Sequence, residues 1–90
     1  MTYTLEISRN FKTQFKRLSK KDATLVYEVL DKLLHDIPLP AKNRDHDLHG
    51  NLEGTRECHI KPDLLLIYQK TETTLILTAL AVGSHSDLFG

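Results

Sequence analysis

A single cysteine, Cys58, stands in the 90 residues, and that scarcity excludes an internal disulfide framework. A reducing, cytoplasmic setting is expected. No apolar stretch approaches the ~20 residues that a membrane span requires. The longest run Leu64 to Tyr68 and Leu75 to Val82, the second interrupted by Thr78. The N-terminal segment shows no basic stretch followed by an apolar run, so no secretory signal is expected. Net charge is also missing, since 12 basic and 12 acidic residues cancel. Repeats, low-complexity segments and linkers are absent, and the length suits one domain over residues 1–90 with a single small core.

The zero average conceals a gradient. Arg9, Lys12, Lys16, Arg17, Lys20 and Lys21 face only Glu6 in the first 21 residues, whereas the acids Asp22, Glu28, Asp31 and Asp36 dominate the next stretch. A local basic face attracts phosphates even on a neutral protein. The plainer alternative is a solvated helix face.

Thr2 to Ile7 alternates, with Tyr3, Leu5 and Ile7 on one side, which predicts a half-buried strand. Ser8 is a suitable N-cap for a helix in which Phe11, Phe15 and Leu18 form the apolar stripe, ending near Ser19. Asp22 is expected to cap a second helix, whose stripe comprises Leu25, Val26, Val29, Leu30, Leu33 and Leu34 and which Pro38 and Pro40 stop. Two helices so closely joined should form an antiparallel hairpin. Residues 41–50 read as a loop. Strands follow over Leu52 to Ile60, Leu64 to Gln69 and Thr74 to Val82, and His85 to Gly90 reads as a short tail. Short connections make the last three strands an antiparallel meander. The expected fold class is therefore α+β in two layers, with the helices on one sheet face and the other face partly open to a ligand or partner.

Five histidines are present. His46, His59, Asp63, His85 and Phe89 fall in loops or at strand ends, where a rigid scaffold can bring side chains together. Imidazole exchanges protons near neutral pH. RNA carries its own nucleophile, the 2′-hydroxyl. Cleavage needs a base for that proton, an acid for the departing 5′-oxygen and a cation for the crowded phosphate. Two imidazoles, a carboxylate and Arg56 would supply these parts with no metal and no other cofactor. Blander readings stand beside this one. Asp45-His46-Asp47 with His49 has ligand-type residues but lacks the spacing of a zinc site, and a solvated loop explains it better. Cys58 and His59 are neighbours on a strand and point to opposite faces, so Cys58 reads as a buried thiol. His35 suits a helix C-terminus. Tyr3, Tyr27 and Tyr68 read as structural.

Larger patterns join these residues: Asp45-His46, Leu48 and Gly50; Gly54, Arg56, His59, Pro62-Asp63 and Leu66-Ile67-Tyr68; and Gly83-Ser84-His85 with Leu88-Phe89. Together with the helical hairpin and Pro38-Leu39-Pro40, they make nearly the whole chain resemble the YafQ family of the RelE/ParE toxin superfamily. The resemblance implies a RelE-like fold, an N-terminal strand, a helical hairpin and a three-strand meander. It implies a ribosome-dependent endoribonuclease, an mRNA interferase, of a type II toxin-antitoxin system. Its partners would be the ribosome, mRNA and a cognate antitoxin, with operator DNA reached only through the antitoxin complex and no membrane. Family catalytic positions fall on His46, His59, Asp63, His85 and Phe89. A phosphate-stabilising role for Arg56, and ribosomal RNA docking by Lys12, Lys16, Arg17 and Lys20, are inferences added to it. With no tryptophan in the chain, and with Leu52 and Leu64 where some relatives place an aromatic, codon preference is not part of what is implied. The runner-up is a ParE-like toxin that binds DNA gyrase and lacks the acid–base set. A third reading is an inactive antitoxin- or operator-binding partner.

Overall fold

The computed structural model describes residues 2–90. Strand β1 spans Thr4–Ile7, helix α1 Arg9–Phe15 and helix α2 Lys20–Leu34. A two-residue strand β2, His46–Asp47, is followed by β3 Arg56–Lys61, β4 Leu64–Thr71, β5 Ile76–Gly83 and a final helix α3 His85–Phe89. The sheet order is β1-β5-β4-β3-β2. β1 lies parallel to β5, and the remaining pairs are antiparallel. The α+β class and the meander are as expected, and the open loop after α2 contains one more strand than its sequence suggested.

The helix starts follow capping chemistry. The Ser8 hydroxyl accepts from the Phe11 N–H at 3.0 Å and donates to the Leu80 carbonyl at 2.7 Å. The cap of α2 is Ser19 and not Asp22, because the Ser19 hydroxyl accepts from the Asp22 N–H at 3.1 Å. Asp22 instead takes Lys61 Nζ at 2.9 Å, tying the start of α2 to the end of β3. α1 also ends earlier than its pattern implied, so Lys20 opens α2. The tail is a helix because Ser84 and Asp87 form a capping box.

One core lies between the helices and one sheet face. Phe11, Val26, Val29, Leu30 and Leu33 pack on Cys58, Leu64, Leu66, Tyr68, Leu77, Ala79 and Val82. All of Leu64 to Tyr68 is buried, so β4 is covered on both sides. β1 departs from its pattern. Tyr3 is buried, whereas Leu5 and Ile7 are exposed at the sheet edge. β1 covers only the first half of β5, pairing as far as Ala79. Beyond it α1 closes the edge, with the Ser8 N–H on the Ala79 carbonyl at 3.0 Å and Gln14 Oε1 accepting from the Val82 N–H at 2.8 Å.

Ser8 thus caps a helix and seals a strand edge with one hydroxyl. Ser8→Ala is expected to cost about 1–2 kcal/mol. A urea unfolding curve should show a lower midpoint at unchanged slope.

Candidate active site

The site grows from the alternation along β3. In antiparallel pairs, residues directly opposite share a face. Cys58 lies opposite Leu66, and Leu66 opposite Val82, a row that faces the helices. Glu57 and His59 therefore face the other way. One row on that second face runs His46, Glu57, Ile67, Ala81, and the next runs His59, Leu65, Gly83. β2 exists to put His46 at the end of the first row.

Glu57 is buried at 5% exposure. Its Oε1 stands 3.6 Å from His46 Nε2 and 3.6 Å from His59 Nε2. His46 Nδ1 lies 2.5 Å from the Arg44 carbonyl oxygen. A carbonyl only accepts, so Nδ1 carries the proton and Nε2 is the nitrogen left to exchange one. Arg44 reaches this position through a left-handed backbone with φ 47°. Uncommon for a residue other than glycine, that conformation belongs to the turn that presents its carbonyl to the imidazole. His59 is held from behind, as Asn43 Nδ2 donates to its carbonyl at 2.7 Å. Beside it Lys42, Asn43, Arg44, His59, Ile60, Lys61 and Pro62 line an open cleft of about 620 Å³. It holds three cationic side chains, one of which, Lys61, is paired with Asp22.

A second group forms where α3 leaves β5. Asp63, in the β3–β4 turn, accepts the His85 backbone N–H at 3.0 Å. The His85 and Phe89 rings lie 5.1 Å apart between centroids with their planes tilted by 46°, and Phe89 is exposed. A Cβ on Gly83 would stand 3.1 Å from the Asp87 side chain, so glycine lets α3 fold back tightly on β5. Gly83 also ends the row that starts at His59, which puts both groups on the same stretch of sheet. Imidazoles, a carboxylate, an exposed aromatic ring and nearby cations can together move two protons and grip a phosphate.

Arg56 takes no part in this face. Alternation sends it to the side of Tyr68, its cross-strand partner. Its guanidinium contacts Asp47 Oδ1 at 2.5 Å and Asp45 Oδ2 at 3.2 Å. The Tyr68 hydroxyl donates to Asp45 Oδ1 at 2.6 Å. Burial works against the charge on Arg56, and hydrogen bonds to Asp45 and Tyr68 outweigh it, holding its pKa above the usual value. Burial, then the bond to Asp45, raises that of Tyr68 too. The network fixes residues 45–47 on either side of His46 and engages the Arg56 guanidinium with two carboxylates. Burial pushes the Cys58 thiol up to about 12, in keeping with an inert core residue. His49 pairs with Glu53 at 3.4 Å in the loop, and His35 Nδ1 lies 2.8 Å from the Asp31 carbonyl at the end of α2. Arg9, Lys12, Lys16, Arg17, Lys20 and Lys21 are exposed, with no acidic partner within 4.0 Å among the described residues. Sequence reasoning passed over Glu57, although its period-two spacing from His59 was the signal that could have found it.

Comparison with known proteins shows the family and the fold. The mRNA interferase toxin YafQ of Escherichia coli strain K12 is 35% identical over 89 residues, covering 98% of this chain and 92% of that protein. A metal-bound toxin from Helicobacter pylori superposes with a TM-score of 0.87 at 43% identity, over 99% of this chain and 100% of the other. The toxin in the E. coli DinJ-YafQ toxin-antitoxin complex superposes with a TM-score of 0.87 at 31% identity, over the full length of both chains. Residues 3–90 match the family described as the bacterial toxin of type II toxin-antitoxin systems, YafQ, and the chain belongs to that family.

Proposed function

We propose that this chain is a ribosome-dependent endoribonuclease that arrests growth by cutting messenger RNA. The observation that carries the proposal is the pair of imidazole Nε2 atoms, of His46 and His59, converging on the sheet face away from the helices. In the reaction, one of these nitrogens takes the 2′-hydroxyl proton as the 2′-oxygen bonds to phosphorus. The bond from phosphorus to the 5′-oxygen breaks, and that oxygen takes a proton from an acid on the Asp63–His85 side. The products are a 2′,3′-cyclic phosphate and a 5′-hydroxyl. Phe89 offers a ring for a base to stack on. Lys42 and Arg44, which line the cleft beside His59, supply cations for the phosphate. Lys12, Lys16, Arg17 and Lys20 supply docking to ribosomal RNA.

The DinJ-YafQ complex supports a cognate antitoxin as the partner that silences the toxin, with operator DNA reached through that complex. No described helix is long and apolar enough to cross a membrane; the cytoplasm, where ribosomes and message are found, is the proposed location. The gyrase-binding alternative has no support in the relatives, which are YafQ toxins, and it leaves the paired histidines without a task.

Alanine at His59, Asp63 or His85 is expected to lower cleavage by about 10²- to 10⁴-fold, the usual contribution of a general acid or base. Far-ultraviolet circular dichroism should be unchanged, since all three lie outside the core cluster. Growth arrest that persists in all three folded variants would refute the assignment.

Among the described residues no three His, Cys, Asp or Glu side chains are arranged to hold a metal ion, and nothing in the proposal is routed through one. The cleavage rate should survive EDTA once the magnesium needed by the ribosome is restored. A message with a 2′-deoxy sugar at the cut site should resist. Cutting of that message would remove the 2′-hydroxyl from the mechanism.

The unpaired cations predict graded docking. Changing Lys12, Lys16, Arg17 and Lys20 to Gln should weaken ribosome binding in a salt-dependent way. Residual cleavage should keep its sequence preference. Ribosome affinity that does not change across the salt range would exclude the docking role.

A further inference from the structure

Beyond the histidines, the same sheet face runs into a second open cleft, of about 380 Å³, that the proposed reaction does not use. Ile67 and Ala81 line it, and they continue the row that starts at His46. Leu52, from the loop before β3, and Leu88, from α3, add apolar surface on which a flat ring can lie. The polar lining comes from two helices. On α1, Gln14 Oε1 accepts the Val82 N–H at 2.8 Å, which fixes the amide and leaves its nitrogen, with two hydrogens, to donate. Asn10, on the same helix, adds a second amide. On α3, Asp87 Oδ2 takes the Ser84 N–H at 3.1 Å, and Oδ1 remains for a ligand. Hydrogen bonding by Ser84, through its backbone first and its side chain second, holds the Asp87 carboxyl below the usual carboxylate range, so it is an anion at neutral pH.

A carboxylate and an oriented amide N–H in one apolar cleft select their ligand. Single-stranded RNA is read through the Watson–Crick edges of its unstacked bases. Guanine alone among the four bases carries two adjacent donors on that edge, N1–H and N2–H, next to an acceptor, O6. A carboxylate matches the two donors, and an amide N–H matches O6. Adenine reverses the pattern, since its N1 lone pair would face the anion and its 6-amino group the amide hydrogens. Cytosine and uracil each present a single donor there. We propose that this cleft is a guanine subsite, in which Asp87 accepts from N1–H and N2–H and the Gln14 amide donates to O6. The base is the one on the 3′ side of the cut, because α3 carries both Asp87 and His85, and the departing 5′-oxygen is protonated from the His85 side. Its place beside the cut rests on the nuclease reading, and the recognition of guanine does not.

Two measurements keep these apart. In the first, full-length ¹⁵N-labelled toxin without ribosomes is titrated with guanosine 5′-monophosphate or adenosine 5′-monophosphate. The guanine nucleotide should shift the Gln14 side-chain amide and the Asp87 and Leu88 backbone amides. It should do so at about 10- to 100-fold lower concentration than the adenine nucleotide, the discrimination expected of a bidentate base contact. The second is single-turnover cleavage of ribosome-bound messages that differ only in the base 3′ of one cut. Wild type should cut before guanine about 10- to 100-fold faster than before adenine. Asp87→Asn, which keeps an oxygen for the Ser84 N–H, should erase that ratio. Gln14→Glu, which keeps an oxygen for the Val82 N–H and loses the donor, should lower it too, and it tests the cleft if Asp87→Asn disturbs α3. Guanine and adenine nucleotides that shift the Gln14 and Asp87 signals alike, or not at all, overturn the inference. So does equal cleavage before the two bases by an active wild type, or a guanine preference that both folded variants keep. Guanine-selective shifts in a wild-type protein that cuts no message would sink the nuclease reading and leave the subsite standing.

Discussion

Six residues of β3 have to serve two environments at once, and the strict alternation of side chains along an extended strand makes that workable. Cys58 and Ile60 contribute to the core under the helices, while Glu57 and His59 look out from the other side of the sheet. A shift of one residue in the β3–β4 register would exchange these sets, driving an imidazole and a carboxylate into an apolar core and a thiol into the site. Core packing and site geometry are therefore held by the same hydrogen-bond ladder.

Around that strand, the remaining elements act as braces. Lys61 fastens the end of β3 to the start of α2 through Asp22. Asn43 holds the His59 carbonyl from the loop. Arg56, Asp45, Asp47 and Tyr68 form a charged clamp anchored in the core, because Tyr68 is 1% exposed. Much of the conspicuous charge in the middle of the chain thus serves geometry. The proposed acid–base chemistry falls to residues on the outward sheet face.

The order of strands and helices was legible because long elements write their period into the sequence. Leu64 to Tyr68, and the stripe from Leu25 to Leu34, admit few other readings. β2 and α3 were not legible, since a two-residue strand and a five-residue helix are too short to show any period. Asp22 looked like a cap because it precedes an apolar stripe, but Ser19 has the shorter side chain one turn earlier, and Asp22 was wanted by Lys61. The histidines of the site stood out by residue type and by resemblance. Arg56 stood out by residue type and by its place in the same pattern, and alternation along β3 puts it on the opposite face from His59. Glu57 was missed because an acid in a strand reads as a solvent-facing residue until its cross-strand neighbour is known.

β2 is only two residues long, a short tether for the His46 imidazole. Its ladder bonds lie at the sheet edge, and both of its residues are exposed. Such a segment opens on its own, at a free-energy cost well below that of unfolding the domain. The arrangement around His46 is therefore held by two rungs of backbone pairing and the Arg56 clamp, which set the equilibrium for local opening of this edge. Hydrogen exchange at the amides of residues 46 and 47 would report that equilibrium while β4 stays protected, and the fraction docked sets a ceiling on the share of molecules that have His46 in place at any instant.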